Sequence, residues 1–117
     1  MNVPRLVLPD LVHLAKQPDF SWDSLRPGIQ IHRLYGDEHG GPSAAILRYA
    51  PGATLARHEH TGYEHIFVLE GAQVDDRGTY DAPCFIVNPP GSEHSVASPA
   101  GCLVLVIWQE PVVFKSA

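Results

Sequence analysis

The sequence predicts an all-β sandwich or barrel, and three observations lead to that fold class. Short β-rich segments recur at intervals of about eight to twelve residues. Turns rich in glycine and proline separate these segments, and no stretch has the length and periodicity of a long helix. The chain of 117 residues is long enough for one domain with a core of its own. We therefore expect a single small β-domain.

Residues 1–28 have a different character and are predicted to form an irregular N-terminal arm. Prolines interrupt this stretch at positions 4, 9, 18 and 27. Leu11 to Lys16 is expected to form one or two helical turns, with Asp10 as the N-cap. Phe20 and Trp22 are expected to anchor the arm to the domain or to a neighbouring subunit.

The β-domain is predicted to span residues 29–117. The predicted strands are Ile29–Tyr35, Ala44–Ala50, Thr54–His60, Glu64–Glu70, Phe85–Asn88, Glu93–Ser98, Cys102–Gln109 and an edge strand at Val112–Lys115. Gln73 to Tyr80 is predicted to be a hairpin with residues 75–78 at its tip. Turn residues such as Pro51-Gly52 and Pro89-Pro90-Gly91 end the neighbouring strands.

Charge and apolar run length indicate which classes of partner this chain is not expected to bind. The formal net charge is −5, and the lysines and arginines are scattered, so nucleic acid is not expected to bind. The longest apolar runs, such as Leu103 to Trp108, are too short to cross a bilayer, and no secretory signal opens the chain. We therefore expect no membrane partner and a cytoplasmic location. Cys84 and Cys102 either form a disulfide between meeting strands or, as suits a cytosolic protein, remain free buried thiols.

Histidines and one glutamate predict a metal site. His58 and His60 are two residues apart, so on an extended strand their side chains point to the same face. If the chain turns through residues 61–63, Glu64 begins the next strand facing the same cavity. Neutral imidazoles with one carboxylate suit Zn, Fe, Mn, Ni or Cu, and His94 would complete a set of four ligands. Such a site loses its metal at acidic pH, because protonated imidazoles cannot bind it.

The spacing around the histidine pair resembles the first motif of the cupin family. That motif is Gly, five residues, His-x-His, three or four residues, Glu, six residues and Gly. Gly52, His58, His60, Glu64 and Gly71 match it at every position. A match of this length is specific.

The second cupin motif is matched in part, and the resemblance as a whole covers roughly residues 29–115. Pro89, Gly91 and His94 stand where the family has its Pro-x-Gly turn and third histidine. Pro83 takes the place of the first glycine of this motif, and Ser98 takes the place of its asparagine. These departures affect a turn and a peripheral hydrogen bond rather than the metal ligands.

Within the cupins, the chain is most similar to the sensor domain of ChrR-type anti-sigma factors and their stand-alone relatives. The segments that carry this likeness are Gly62–His65, Leu69–Gly71, Asn88–Ser92 and Gly101–Cys102. The resemblance implies a small single-domain RmlC-like barrel, that is, a jelly roll or double-stranded β-helix. It also implies metal ligands at His58, His60, Glu64 and His94, holding one divalent transition metal per chain: Zn, Fe, Mn or Ni, with Zn or Fe favoured.

ChrR-type factors also carry a separate helical, zinc-dependent domain that holds the sigma factor. About 28 residues precede the barrel here, without a cysteine, so that domain is expected to be missing. The resemblance implies a homodimer in which strands or the N-terminal arm are exchanged. The exposed edge Ile29–Tyr35 is expected to serve in such pairing.

Two functions remain open at this point. One is a metal-dependent enzyme, most plausibly a dioxygenase that attacks a small chelating dicarbonyl or phenolic compound. The other is a module that senses metal or a small molecule and changes a surface read by another protein. The sequence favours the enzyme slightly, and it assigns no catalytic residue.

Several side chains near the motif are expected in definite places. Glu59 is expected to point outward between the two ligands, and His65 to face the opposite side of its strand from Glu64. One residue of the pair Arg48 and Tyr49 is expected to line the cavity. Tyr63, Phe85 and Trp108 are further candidates for the lining.

Overall fold

Antiparallel strands make up most of the regular structure in the computed structural model, which describes residues 5–115. The elements in chain order are α1 (Leu11–Ala15), β1 (Asp23–Arg26), β2 (Ile29–Tyr35), β3 (Ser43–Tyr49), β4 (Ala53–Glu59), β5 (Glu64–Asp75), β6 (Gly78–Asp81), β7 (Cys84–Asn88), β8 (Glu93–Ser98), β9 (Cys102–Trp108) and β10 (Val113–Phe114). The predicted all-β fold class is confirmed. Most predicted strands begin and end within two residues of the observed ones.

The strands form one curled sheet in the order β1-β2-β3-β9-β5-β8-β4-β10, and β6 and β7 also pair with β5. The first half of β5 pairs with β7 and β9, and its second half pairs with β6 and β8. This long strand therefore joins the two halves of the barrel. The prediction that it ends at Glu70 is wrong, because the strand continues to Asp75 and forms the hairpin with β6 that the sequence predicted.

Gly71 stands where β5 crosses from one half of the barrel to the other. Its φ is 76°, a left-handed conformation that glycine adopts without strain. A Cβ at this position would overlap the carbonyl oxygen of Gly101. The close approach of two backbones thus requires the glycine that ends the first motif.

The core lies inside the barrel and is built by alternation along the strands. On β5, for example, Glu64, Ile66 and Val68 are buried, whereas Phe67 points out and is exposed. The main cluster of buried apolar side chains comprises Ile29, Ile31, Ala45, Leu47, Tyr49, Ala53, Leu55, Ile66, Val68, Val96, Cys102, Val104 and Val106. Burial of these side chains is the main source of stability.

The N-terminal arm packs on the outside of β3 and β9. Ala15 joins a second apolar cluster with Ile46 and Leu103, which explains why both faces of β3 are buried. Asp10 occupies the N-cap position of α1, but its φ is 50° and its side chain caps no backbone N–H, contrary to expectation. The short helix is therefore held by packing rather than by a cap.

Two aromatic contacts fasten the arm, as predicted for Phe20 and Trp22. The ring of Phe20 stacks on His32 at 3.9 Å between centroids. The guanidinium of Arg48 lies 4.3 Å from the centre of the Trp22 ring. Both contacts join the arm to the barrel of the same chain.

Strand β1 was not predicted, and its presence means that the arm is not irregular throughout. It pairs antiparallel with β2, with Asp23 opposite Ile31, through a turn at Pro27 and Gly28. The φ of Gly28 is 78°, as such a turn requires. The edge of β2 is thus partly covered by β1, contrary to the expectation of an open edge. The boundary at residue 28 and the homodimer stay predictions.

Two further expectations concern the cysteines and the membrane. Cys84 and Cys102 are free thiols, and burial raises the pKa of the Cys102 thiol. Within residues 5–115, no helix is long and apolar enough to cross a membrane. The cytoplasmic location stays a prediction.

Candidate metal site

Three histidines meet at one end of the barrel interior. His58 on β4 lies directly opposite His94 on β8, and His60 follows the last residue of β4. Their side chains are almost fully buried, and one ring nitrogen from each lies within 4.8 Å of the others. The structure thus brings together the three histidines that the sequence predicted as ligands.

A β-bulge in β4 determines where the side chains of His58 and His60 point. The pairing with β8 shifts between Leu55 and His58, so both residues are buried although they are three positions apart. Without the bulge, strict alternation would turn His58 and His60 away from the face that buries Leu55. The bulge therefore aims both imidazoles into the barrel.

The Pro-x-Gly turn of the second motif holds His60. The backbone N–H of His60 donates to Ser92 O at 2.9 Å, and the N–H of Gly91 donates to His60 O at 2.8 Å. The Ser92 hydroxyl donates to Pro89 O at 2.6 Å, so its oxygen is left to accept from His60 Nδ1 at 2.9 Å. His60 therefore carries its proton on Nδ1 and a lone pair on Nε2.

The imidazoles of His58 and His94 also have a hydrogen-bond acceptor at Nδ1. His58 Nδ1 lies 2.9 Å from Ala56 O, and His94 Nδ1 lies 3.2 Å from Asp75 Oδ2. Carbonyl and carboxylate oxygens can only accept, so each Nδ1 donates. Burial lowers the pKa of His58, against the opposing effect of the Ala56 carbonyl, and so favours its neutral form.

Asp75 is itself held in place by two donors. The backbone N–H of Arg77 and the hydroxyl of Tyr80 both donate to its Oδ1 at 2.9 Å. Burial disfavours the charged carboxylate, but the N–H of Arg77 and the ring of His94 outweigh it and hold the pKa of Asp75 below its ordinary value. Asp75 is thus a fixed negative partner for His94, an arrangement common behind metal-binding histidines.

The three Nε2 atoms consequently point at one another without protons between them. His58 Nε2 and His94 Nε2 are 3.0 Å apart, and His60 Nε2 is buried and, although Glu64 Oε1 lies 2.9 Å away, makes no hydrogen bond among the described residues. Converging lone pairs repel unless a cation lies between them, and an unsatisfied buried nitrogen is costly. This donor set therefore fits a divalent transition metal.

Glu64 lies beside this cluster at the start of β5. Its Oε1 is 2.9 Å from His60 Nε2 and 3.9 Å from His94 Nε2. Burial opposes its ionisation, but the donors around it, among them the amide of Asn88, outweigh burial and lower the pKa of Glu64. The carboxylate is therefore charged and well placed to face a cation, while its role as fourth ligand stays a prediction.

A cavity of about 530 Å³ opens from the cluster into the barrel. Its apolar lining includes Ile31, Leu47, Leu55, Ile66, Val96 and Val106. Of the alternatives left open by the sequence, Tyr49 lines the cavity, and burial raises its pKa, whereas Arg48 contacts the arm. The size and lining suit a small, largely apolar ligand.

The family model of the ChrR Cupin-like domain matches residues 12–112, a stretch that includes the histidine cluster. The chain belongs to this family. The cupin resemblance predicted from the two motifs is thus confirmed. Among curated protein sequences, none matches this cupin significantly.

Solved structures share the fold. A protein of unknown function with a cupin-like fold from Ralstonia eutropha has 26% identity and a TM-score of 0.70, covering 76% of this chain and 59% of that chain. An acetylacetone dioxygenase from Acinetobacter johnsonii has 20% identity and a TM-score of 0.76, covering 86% and 76%. The complex of Rhodobacter sphaeroides SigE with the anti-sigma ChrR has 23% identity and a TM-score of 0.72, covering 86% and 56%. This cupin thus spans less than two thirds of two of these chains.

The remaining side chains singled out by the sequence lie outside the cluster. Glu59 points outward and pairs with Lys115 at 2.7 Å, as expected. His65 is on the outer side of β5, between Tyr63 and Phe85, which are exposed. Tyr63 and Phe85 therefore do not line the cavity, in contrast to Trp108.

Sequence reasoning missed the residues that support the ligands. Asn88 and Trp108 donate to the two oxygens of Glu64, and Asp75 and Ser92 accept from His94 and His60. Ser92 could have been found from the sequence, because it directly follows the Pro-x-Gly turn that precedes His94. The other three depend on pairings between strands far apart in sequence.

Proposed function

We propose that this cupin holds one divalent transition metal ion and is an oxygenase-type metalloenzyme for a small molecule. The ligands would be His58, His60 and His94, with Glu64 as the fourth; of the two favoured metals, Fe suits the oxygenase and Zn suits the sensing alternative. The observation that carries the proposal is the convergence of three unprotonated Nε2 atoms beside a cavity that His58 and His94 line. Every buried imidazole needs an acceptor for its Nδ1–H, but packing alone does not explain why the Nε2 of His60 is left without a hydrogen bond among the described residues.

A metal bound here would act as a Lewis acid and as a template for substrate and O₂. The protein's own contribution is positional. Four ligands leave one or two coordination positions on the side of the cavity. The apolar side chains around the cavity exclude bulk water, and Tyr49 offers a buried hydroxyl beside the ligand. No residue is assigned a catalytic proton transfer.

A small chelating dicarbonyl or phenolic compound is the proposed substrate class. Two oxygens on adjacent or alternate carbons match two free coordination positions, and the remaining body of such a compound is apolar. The shared fold with an acetylacetone dioxygenase supports this class, although at 20% identity the likeness concerns the fold alone.

The alternative is a module that senses metal or a small molecule. One observation favours it: exposed apolar side chains lie on the outer face of the strands that carry the site. We name this surface the outer patch; it consists of Tyr63, Phe67, Phe85 and Val87. Phe67 and Phe85 are directly opposite each other, with ring centroids 4.6 Å apart. Glu64 is on the inner face of β5, the strand that carries Phe67 on its outer face. A metal or ligand bound at the site is therefore separated from the outer patch by a single strand.

Metal analysis tests the proposal. The protein is purified without chelators and without a His tag, alone and as His58→Ala, His94→Ala and His65→Ala. His65 is the matched control because it lies on the outer face of β5. We expect about one metal ion per chain in the native protein and in His65→Ala, and a loss of most of it in the other two variants.

The identity of the metal then separates the two functions. Stoichiometric Fe, Mn or Ni, together with O₂ consumption on dicarbonyl or catechol-like compounds, supports the enzyme. Stoichiometric Zn without turnover supports the sensor, because Zn has no redox chemistry. If the native protein retains no metal after loading with each of these ions, the proposal is overturned.

A further inference from the structure

Arg33 is a cationic side chain on the inward-facing side of β2. Ile29 and Ile31 on the same strand are buried in the core, and Arg33 follows two positions later, so it shares their face. It lines the cavity that contains the histidine cluster, and its side chain is 31% exposed. Arg33 is therefore a partly exposed cation in the cavity lining.

The guanidinium of Arg33 has no hydrogen-bond acceptor within residues 5–115. Four other arginines of the barrel and its first strand donate to protein oxygens: Arg26, Arg48, Arg57 and Arg77. The nearest acidic group to Arg33 is Glu38, with 3.5 Å between Nη2 and Oε2 and a side chain that is 65% exposed. Such a solvated pair contributes little and is readily displaced.

The register of the sheet places Arg33 at a defined separation from the cluster. Trp108 and Glu64 lie in one row across β9 and β5, and Arg33 lies in the next row, opposite Ala45. Along the strands, the row of Arg33 and the row of Glu64 are one inward-facing step apart, about 7 Å. Across the sheet, β2 and β5 are three strand spacings apart, about 14 Å before the sheet curls. A long arginine side chain covers part of this distance, and a small ligand with a short apolar middle spans the rest.

Among the residues that the structure describes, the cavity lining contains four carboxylates and two guanidinium groups, so Arg33 is one of two lining positions at which an anion has a cationic partner. Glu64 faces the cluster, where it would neutralise part of the charge of a divalent ion. Asp37, Glu38 and the β1 pair Asp23 and Arg26 also line the cavity, and the guanidinium of Arg26 lies 4.5 Å from the centre of the Phe114 ring. Arg33 is thus the cation along this wall whose donors remain for a ligand.

We propose that Arg33 binds the carboxylate of a small organic acid whose other end presents two chelating oxygens to the histidine cluster. The inference rests on the proposed function and specifies its substrate class: acidic rather than neutral chelators. The carboxylate replaces Glu38 as the partner of Arg33, and the apolar wall contacts the carbons between the two ends.

Calorimetry with a matched pair of probes tests this inference. 4,6-Dioxoheptanoate carries a dicarbonyl chelating group and a distal carboxylate, and its methyl ester keeps the first and loses the charge of the second. The protein is loaded with Zn²⁺, so that no turnover consumes the probes. We expect the acid to bind about tenfold more tightly than the ester, since a charge-assisted pair contributes that much.

Three variants complete the test, each checked first for metal content. Arg33→Gln is expected to abolish the preference for the acid by weakening the acid's binding more than the ester's. Arg33→Lys is expected to retain part of the preference, and Glu38→Gln to increase it by removing the competing carboxylate.

The outcomes separate this inference from the function on which it rests. If the ester binds to the metal-loaded protein but the acid binds no more tightly, or if Arg33→Gln keeps the preference, Arg33 is not an anion-binding residue and the proposed function stands. If neither probe binds to the loaded protein, or if no metal is retained, the proposed function falls and this inference falls with it.

Discussion

Trp108 and Glu64 lie directly opposite each other on β9 and β5, and the indole Nε1–H donates to Glu64 Oε2 at 2.7 Å. Asn88 is opposite Glu64 on the other side, and its amide donates to Oε1 at 2.9 Å. Each oxygen of the buried carboxylate therefore has a donor that fixes its direction. One row of three side chains across three strands sets the orientation of the proposed fourth ligand.

Trp108→Phe is expected to weaken metal binding by about tenfold, because Glu64 loses one of its two orienting donors. Competition with a chromophoric chelator measures the affinity. Trp22→Phe is the matched control, since Trp22 is in the N-terminal arm beside Arg48, and its affinity should equal that of the native protein. An unchanged affinity in Trp108→Phe would mean that the orientation of Glu64 does not matter for the metal.

Asp75→Asn is expected to lower metal affinity by about 10- to 100-fold, because the amide is a weaker acceptor for His94 Nδ1–H and removes the negative charge behind the ring. The neighbouring Asp76→Asn serves as control: Asp76 pairs with Arg57 at 2.6 Å on the surface. Equal affinities in the two variants would contradict the positioning role of Asp75. Tyr80→Phe should produce a smaller loss, since the N–H of Arg77 still holds Asp75.

Gly71→Ala is expected to be more destabilising than Gly52→Ala. Both glycines have a positive φ, 76° and 86°, so a side chain costs about 1–2 kcal/mol at each. At Gly52 nothing lies within 4 Å of the added carbon, whereas at Gly71 it overlaps the Gly101 carbonyl and the backbone must move. Urea unfolding curves give the two free energies of unfolding. Equal losses would show that the crossing of β5 tolerates a side chain.

Phe20→Ala is expected to lower the free energy of unfolding by about 1–2 kcal/mol, because the half-buried ring loses its apolar contacts and its stack on His32. Hydrogen exchange in α1 should accelerate, since the arm is held to β3 and β9 by these contacts. Val7→Ala, on an exposed residue of the same arm, should leave both quantities unchanged. If exchange in α1 does not change, Phe20 is not the anchor of the arm.

The sequence was sufficient for most of the strands and for the three histidines, because both depend on local patterns. His58 and His60 follow from a spacing of two, and His94 follows from its Pro-x-Gly turn. The inward position of Asp75 could not be predicted from the sequence. A bulge between Val68 and Glu70 reverses the alternation of β5, so Asp75 points inward. Strict alternation from Glu64 would have placed it on the outer face. Bulges and register come from tertiary pairing.

Strand β1 was missed because its sequence contains little that predicts a strand. Leu25 is its one apolar residue, flanked by Asp23, Ser24 and Arg26, so no alternation is visible. Pairing with β2 stabilises it instead. The turn at Pro27-Gly28 carried a signal, since this dipeptide directly precedes a β-rich segment, but it was assigned to the arm.

The position of β5 has a consequence for how the protein unfolds. This strand takes partners from both halves of the barrel, and the site draws on β4, β5, β8 and the strands that orient Glu64. If either half of the barrel opens, the four proposed ligands no longer face one another. In an opened chain His58, His60 and Glu64 stay close in sequence but lose His94, and a set of three flexible ligands binds metal more weakly than the folded site. Metal release should therefore coincide with the cooperative unfolding transition, and a bound ion should slow the spontaneous opening of the whole barrel.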